Sequence, residues 1–312
     1  MASEYPAIKT EGLTKAFKEL VAVNDLSLEV KRGEVFGFLG PNGAGKTTTI
    51  RMITGLMYPS RGSVLVNGED IAHHGLQMRK SLGFLPERVG FYPNLTAQQT
   101  MEFYCDLKGQ SRDQVRPLLH RVGLLNFAKK KVNTFSRGMV QLLGFGQALI
   151  GEPDLLILDE PAGGLDPYWI RMVKNAILEA KHRGATVFFS SHILGEVEEI
   201  CDRVAIVNQG ILAAEDTIDN LRKHMEMKPR LWLQMTSVDE NAVNVASSID
   251  SVSNVQVTGN WIMIECDHEL RMDVMNVLKE KGYKILDFRT EEPSLEEVFL
   301  RFTKRAEGGQ TR

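Results

Sequence analysis

Gly40-Pro41-Asn42-Gly43-Ala44-Gly45-Lys46-Thr47 is the stretch on which the reading of this chain turns. Ahead of it, Ala22–Val30 and Glu34–Leu39 read as short apolar strands joined by the turn Lys31-Arg32-Gly33. Behind it, Lys46–Thr54 has the pattern of a helix stopped by Gly55. Strand, glycine-rich turn and helix make the setting that a phosphate-binding loop requires. The glycines let successive backbone N–H groups turn inward around a phosphate, and the helix adds the positive end of its dipole. Lys46 is then placed to reach the outer phosphates of ATP and the Thr47 hydroxyl to bind Mg²⁺. Asn42, Gly43, Ala44, Gly45 and Thr48 complete the expected nucleotide contacts. The plainer alternative is a glycine-rich turn with an exposed lysine, and the flanking strand and helix argue against it.

Working outward, Leu155-Leu156-Ile157-Leu158 is a continuous apolar run of strand length, consistent with burial on both faces, and it delivers Asp159-Glu160 at its end. Val187–Ser190 and Val204–Val207 look similar, and Trp169–His182 between them has helical periodicity. Buried strands alternating with helices predict an α/β core around a mostly parallel sheet. Thr96–Asn126 reads as helical, with Leu118, Leu119, Val122 and Leu125 at helix spacing. An acidic pair after a strand is often only a helix N-terminal charge. Beside a phosphate loop it points to Asp159 as a Mg²⁺ ligand and to Glu160 as the group that orients and deprotonates an attacking water. Phosphoryl transfer to water needs such positioning and charge stabilisation more than covalent chemistry.

The 312 residues exceed one ordinary domain and suggest two. With 43% hydrophobic and 25% charged residues the chain can bury a sizeable core, and a net charge of −3 argues against a nucleic-acid partner. The three cysteines, Cys105, Cys201 and Cys266, are scattered and lack metal-ligand spacing, so they read as incidental thiols of a reducing compartment. The opening MASEYPAIKT has no apolar h-region, and no run approaches the roughly 20 apolar residues of a membrane span. Any membrane role is therefore expected to come through a partner.

Composition changes after about Lys223, so a first domain is expected over residues 1–224 and a second over 225–312. In the second, Arg230–Met235 reads as a strand and Asp239–Ile249 as a helix. Val255–Val257 and Trp261–Ile264 read as a hairpin around Gly259-Asn260. Leu270 to Leu278 read as a helix ending at Gly282, Lys284–Phe288 as a strand and Ser294–Phe302 as a capped helix. The order β-α-β-β-α-β predicts a small split βαβ domain. Its last helix carries the stripe Leu295, Val298, Phe299 and Phe302, read either as an intramolecular seal or as a dimer contact.

Between loop and acidic pair, about 20 residues before Asp159, lies Phe135-Ser136-Arg137-Gly138-Met139. Here the sequence resembles the ABC ATPase family, whose signature in that place is LSGGQ. Ser136 and Gly138 match it, and Phe, Arg and Met replace Leu, Gly and Gln. Gly164-Leu165-Asp166-Pro167 is similar to the family's D-loop and Ser190-Ser191-His192 to its switch histidine. The resemblance covers Ile8 to about Glu215. It implies a P-loop NTPase core with an antiparallel β subdomain and a helical subdomain, with the small α+β domain appended. It further implies that two copies sandwich two ATP molecules. Ser136 and Gly138 would then contact the γ-phosphate held by the opposite copy, Asp166 of the D-loop would be among the nucleotide-binding residues, and His192 would hydrogen-bond the γ-phosphate of its own copy. Phe17 occupies the family's adenine-stacking position, although an aromatic there is also consistent with core. The other histidines, including His73-His74, read as surface residues.

Two departures stand out. The family's Q-loop glutamine is Glu87 here, a carboxylate that can also bind Mg²⁺, and the basic residue usual after the signature is Leu142. Leu85-Pro86-Glu87, the altered signature and the ending Pro293-Ser294-Leu295-Glu296-Glu297-Val298-Phe299 look most like ATPases of drug and antibiotic exporters. The expectation is an ATP-hydrolysing subunit, peripheral on the cytoplasmic face of a membrane, that drives a separate permease docked over Arg88–Thr96, with Phe91, Tyr92 and Leu95 foremost. The bland reading of those three is core of the helical subdomain. A soluble relative acting on ribosomes or DNA is a second reading. DNA-repair relatives, however, insert long modules where only 90 positions separate Lys46 from Ser136, and translation-factor relatives carry two ATPase domains. An importer ATPase is the third.

Overall fold

In the computed structural model, which describes residues 5–73, 78 and 81–308, the phosphate-loop strand lies inside a six-stranded sheet of order β10-β9-β3-β8-β7-β6. Its members are β3 (Val35–Leu39), β6 (Leu82–Leu85), β7 (Leu155–Asp159), β8 (Thr186–Ser191), β9 (Arg203–Asn208) and β10 (Ile211–Asp216). All neighbours run parallel except β10 against β9. β3, β7 and β8 are buried along their whole length, as expected of central parallel strands whose sequences do not alternate. A second sheet, antiparallel and of order β2-β1-β4-β5, is built from β1 (Ile8–Phe17), β2 (Leu20–Val30), β4 (Arg61–Val66) and β5 (Glu69–Asp70). One core joins the two sheets: Leu13, Leu26 and Val64 from the antiparallel sheet meet Phe36, Phe38 and Phe188 from the parallel one, with Ile50 and Ile53 of helix α1 (Lys46–Ile53) among them. Phe188 stacks on Phe36 with ring centroids 5.8 Å apart and lies 5.3 Å from Phe38.

The stretch Thr96–Asn126 is broken where its periodicity predicts continuous helix. Helix α2 (Ala97–Lys108) starts on a capping box between Thr96 and Gln99 and ends at Gly109, whose φ of 65° stops the helix. Helix α3 (Val115–Arg121) follows, and α4 (Arg137–Ala148) starts at the signature stretch. After β7 come α5 (Pro167–His182) and α6 (Leu194–Ile200), and α7 (Ile218–His224) follows β10. The edge of the parallel sheet is tied by Arg203, which donates to Glu34 at 3.0 Å and also bonds Glu215. Burial pushes both carboxyl groups above the usual carboxylate range, and the guanidinium between them pulls both back.

Asp219–Arg301 makes a second compact unit, so it begins a few residues before the composition change at Lys223. It contains β11 (Arg230–Met235), α8 (Glu240–Ser247), β12 (Asn254–Thr258), β13 (Trp261–Glu265), α9 (Arg271–Glu280) and β14 (Ile285–Glu291), followed by α10 (Leu295–Gly308). The sheet is antiparallel, of order β12-β13-β11-β14. Leu231, Leu233, Ile262 and Ile264 form its buried face under Ala242 and Ala246 of α8 and Val274 and Leu278 of α9. Strand β14 extends three residues beyond the expected Lys284–Phe288, through the polar Arg289-Thr290-Glu291. Leu295 and Val298 are fully buried within the chain. That part of the stripe is an intramolecular seal, and it is unavailable as a dimer contact.

Candidate active site

The loop between β3 and α1 is shaped by backbone that only glycine can adopt in place. Gly45 has φ 96°, and a Cβ there would sit 2.4 Å from the Ala22 carbonyl oxygen; at Gly40 it would sit 2.5 Å from that of Val207. No side chain caps α1, so its first-turn N–H groups are left to point into the loop. This is an anion cradle. Lys46, 7% exposed, donates to the Gly40 carbonyl at 2.7 Å, and its ammonium is 3.6 Å from Glu160 Oε1.

Asp159 ends β7 almost completely buried. Burial pushes its carboxyl group above the usual range, hydrogen bonds from Ser190 and Thr47 pull it down, and the charges of Glu87 and Glu160 push it up again. Glu160 then turns out of the strand with φ 52°, a left-handed conformation uncommon for a residue with a side chain. Both ends of that residue's backbone are held: its amide donates to Ser190 Oγ at 3.0 Å, and its carbonyl accepts from Gln141 Nε2 of α4 at 3.2 Å. Ser190 Oγ in turn donates to Asp159 Oδ1 at 2.7 Å. The Glu160 carboxylate faces His192, with Oε2 2.7 Å from Nδ1. Ser190 enters the sequence reading only as part of the switch-histidine triplet, with no role of its own, and Gln141 is absent from the residues singled out by motif. A serine in an otherwise apolar buried strand was the available signal for the first; nothing local marks the second.

A cleft of about 600 Å³ gathers Phe17, Asn42, Gly43, Gly45, Lys46, Thr47, Thr48, Glu87, Glu160 and His192, with Arg137 at its margin. Ala44 is buried under the loop. Phe17 is 43% exposed and carries the Lys15 ammonium 5.3 Å from its ring, so it has an aromatic face within the cleft rather than a place in the core. The donor set near Thr47 suits Mg²⁺, a hard ion that takes one or two carboxylates, a hydroxyl, waters and substrate phosphates. Thr47 and Asp159 are within hydrogen-bond reach of each other, and among the described residues no group of three His, Cys, Asp or Glu is arranged to hold a metal alone.

Ser136, Gly138 and Asp166 are not among the residues lining that cleft. Ser136 N-caps α4, accepting from the Met139 amide at 3.3 Å, and a Cβ on Gly138 would lie 3.3 Å from Leu165. Asp166 N-caps α5, accepting from the Tyr168 and Trp169 amides at 3.1 and 3.2 Å. Leu142 is buried, which suits its apolar side chain. In the expected docking segment, Phe91 is half-buried edge-on to Tyr104 at 5.8 Å, whereas Tyr92 is 60% exposed. His73 is exposed, and His74 lies outside the described residues.

Residues 23–163 match the family model described as ABC transporter. The chain is 38% identical to the bacitracin transport ATP-binding protein of Bacillus licheniformis over 94% of its own length and 96% of the relative's. It is 32% identical to the linearmycin resistance ATP-binding protein of Bacillus subtilis, covering 96% and 98% of the two chains. Among solved structures, an ATP binding subunit of an ABC transporter superposes with a TM-score of 0.67 at 32% identity, over 70% of this chain and 93% of that one. The likeness therefore runs through the phosphate loop, the acidic strand end and the C-terminal unit alike, and the chain belongs to the family of ABC transporter ATP-binding proteins.

Proposed function

We propose that this chain hydrolyses ATP as the motor subunit of an exporter for antibiotic-class compounds, bound peripherally to a separate permease at the cytoplasmic face of a membrane. The observation that carries the hydrolytic part is the Glu160 carboxylate, fixed between Lys46 and His192 at the mouth of the phosphate cradle. Lys46 and the loop amides bind the phosphates, and Phe17 supplies the surface for adenine. Mg²⁺, when bound, would supply neutralisation of phosphate charge. Asp159 and Thr47 would hold it, with Glu87 close by. Glu160 accepts the proton of the attacking water, and His192 donates to the γ-phosphate oxygen. Ser136, Gly138 and Asp166, away from the cleft of their own chain, serve the site of a second copy. The exporter reading is supported by the bacitracin transport and linearmycin resistance relatives, whose likeness extends over the C-terminal unit. Among the described residues no helix is long and apolar enough to cross a membrane, so the pathway itself belongs to a partner.

The test is Glu160→Gln. The amide keeps the shape but cannot take the proton, so ATP binding should persist while hydrolysis falls by about 10²–10⁴, and an ATP-held pair of copies should accumulate on gel filtration. Hydrolysis within a few-fold of the parent would sink the assignment. Copurification with a polytopic membrane protein, and loss of antibiotic tolerance in cells carrying the variant, test the exporter part.

A further inference from the structure

Strand β14 forms one edge of the sheet of the second unit: β11 pairs with one side of it, and among the described residues no strand follows it in the sheet order. It is exposed from Leu286 to Glu291, with Leu286 and Phe288 more than half exposed. Seven residues of open edge carrying large apolar side chains form a template for another strand. The Phe288 amide donates to its own neighbour's carboxylate, Asp287 Oδ1, at 2.8 Å, as an amide does when it faces an open edge rather than a ladder. At the opposite edge, β12 has five residues and no charge that would set a register.

We propose that β14 pairs antiparallel with β14 of a second copy of this chain, about a two-fold axis through Phe288. Three features of Ile285-Leu286-Asp287-Phe288-Arg289-Thr290-Glu291 select that register. Phe288 is the middle residue, so this axis alone places all seven residues opposite a partner. It sets Asp287 opposite Arg289 of the second copy twice over, on the face that carries Trp232 and Trp261, where Arg289 lies 4.9 and 5.2 Å from the two rings. It also sets Phe288 against Phe288 on the other face. Side chains paired across such an axis must share a face, so the next allowed centres are Asp287 and Arg289. The first opposes Asp to Asp, and the second opposes Arg to Arg and Asp287 to Glu291. Like charges directly opposite are destabilising, and opposite ones favourable. The strand is thus self-complementary in one register and self-repelling in its neighbours. The proposal rests on the ATPase reading only for its use, which is to keep two copies near each other between closures; the pairing itself needs no nucleotide.

Cysteine cross-linking on the full chain without nucleotide decides it. In the proposed register Phe288→Cys faces itself at about 5.5 Å between Cα atoms, within disulfide reach, whereas the two copies of Leu286→Cys stand roughly 13 Å apart. Under mild oxidation Phe288→Cys should form a dimer and Leu286→Cys should not, beyond the background of the parent thiols. In sedimentation, Asp287→Arg or Arg289→Asp should each weaken self-association about tenfold, and the double exchange Asp287→Arg/Arg289→Asp should restore it. Equal cross-linking at 286 and 288, none at 288, or no recovery in the double exchange overturns the proposal. ATP-driven closure is measured on the same samples: closure without the 288 cross-link removes the pairing and leaves the ATPase reading standing.

Discussion

Replacing Ser190 by alanine tests whether the two acidic residues of the site are held by one hydroxyl. The substitution removes a 2.7 Å bond to the buried Asp159 carboxylate and leaves the Glu160 amide without its acceptor at 3.0 Å. A hydrogen bond to a charged group is worth about 1.5–3 kcal/mol net, and an orphaned buried amide costs about 1–3 kcal/mol. Because the two effects overlap, we expect a loss of about 2–4 kcal/mol, seen as a fall of roughly 5–15 °C in the melting of the ATPase unit. The sign of the pH dependence follows. Ser190 stabilises the ionised form of Asp159, so without it the carboxyl rises further above its ordinary value. At neutral pH the folded chain must carry a less stabilised charge. As pH falls toward the usual carboxylate range the group is protonated and the loss should fade. The acid limb of the Mg²⁺-dependent rate should move to higher pH, and half-saturating Mg²⁺ should rise. Hydrolysis should drop about 10–100-fold as Glu160 loses its seat. Melting curves at two pH values and ATPase rates titrated with Mg²⁺ provide the assay. Unchanged melting and an unchanged Mg²⁺ curve would show that the Ser190 bonds do not order the site.

Arg203→Met leaves the buried Glu34 and the half-buried Glu215 as two neighbouring carboxyl groups without their cation, so stability measured in urea should fall by roughly 2–4 kcal/mol at neutral pH. Both groups already sit above the usual range, so that loss should shrink as pH drops and they take up protons. Mixing Lys46→Ala chains with Ser136→Arg chains should partly restore hydrolysis, because one composite site carries both lesions and the other neither; confirmed mixed pairs without recovery would argue for self-contained sites. Tyr92→Glu, at an exposed position, should keep the isolated subunit's ATPase and fold while weakening capture of the permease. Loss of folding would return Tyr92 to the core of the helical region.

How much of this was legible depended on whether the cause was local. Gly40 to Thr47 declares itself because a loop that needs φ above zero at Gly45, and a backbone too close to Gly40 for any Cβ, can be built in few other ways. The central strands β3, β7 and β8 declare themselves by being apolar without alternation. The break within Thr96–Asn126 is not legible because helical spacing does not register a left-handed stop such as Gly109. The last three residues of β14 are not legible because an exposed edge carries no apolar alternation past Phe288. The bonds of Ser190 and Gln141 are not legible because their partners lie about 30 and 19 residues away, and only the packing of β8 and α4 against the end of β7 brings them there.

The bond from Gln141 to the Glu160 carbonyl has a mechanical consequence. Gln141 sits five residues beyond Ser136 on the same helix, so about 7.5 Å of rigid α4 separates the signature serine from the tether. In the two-copy arrangement proposed above, Ser136 would attend one nucleotide while Glu160 attends the other. A swing of α4 that follows the first nucleotide must either drag the Glu160 peptide with it or forfeit a bond worth about 1 kcal/mol. On that arrangement the interior of each chain would link the two sites, and the strength of that tether would limit how far one can fire without the other.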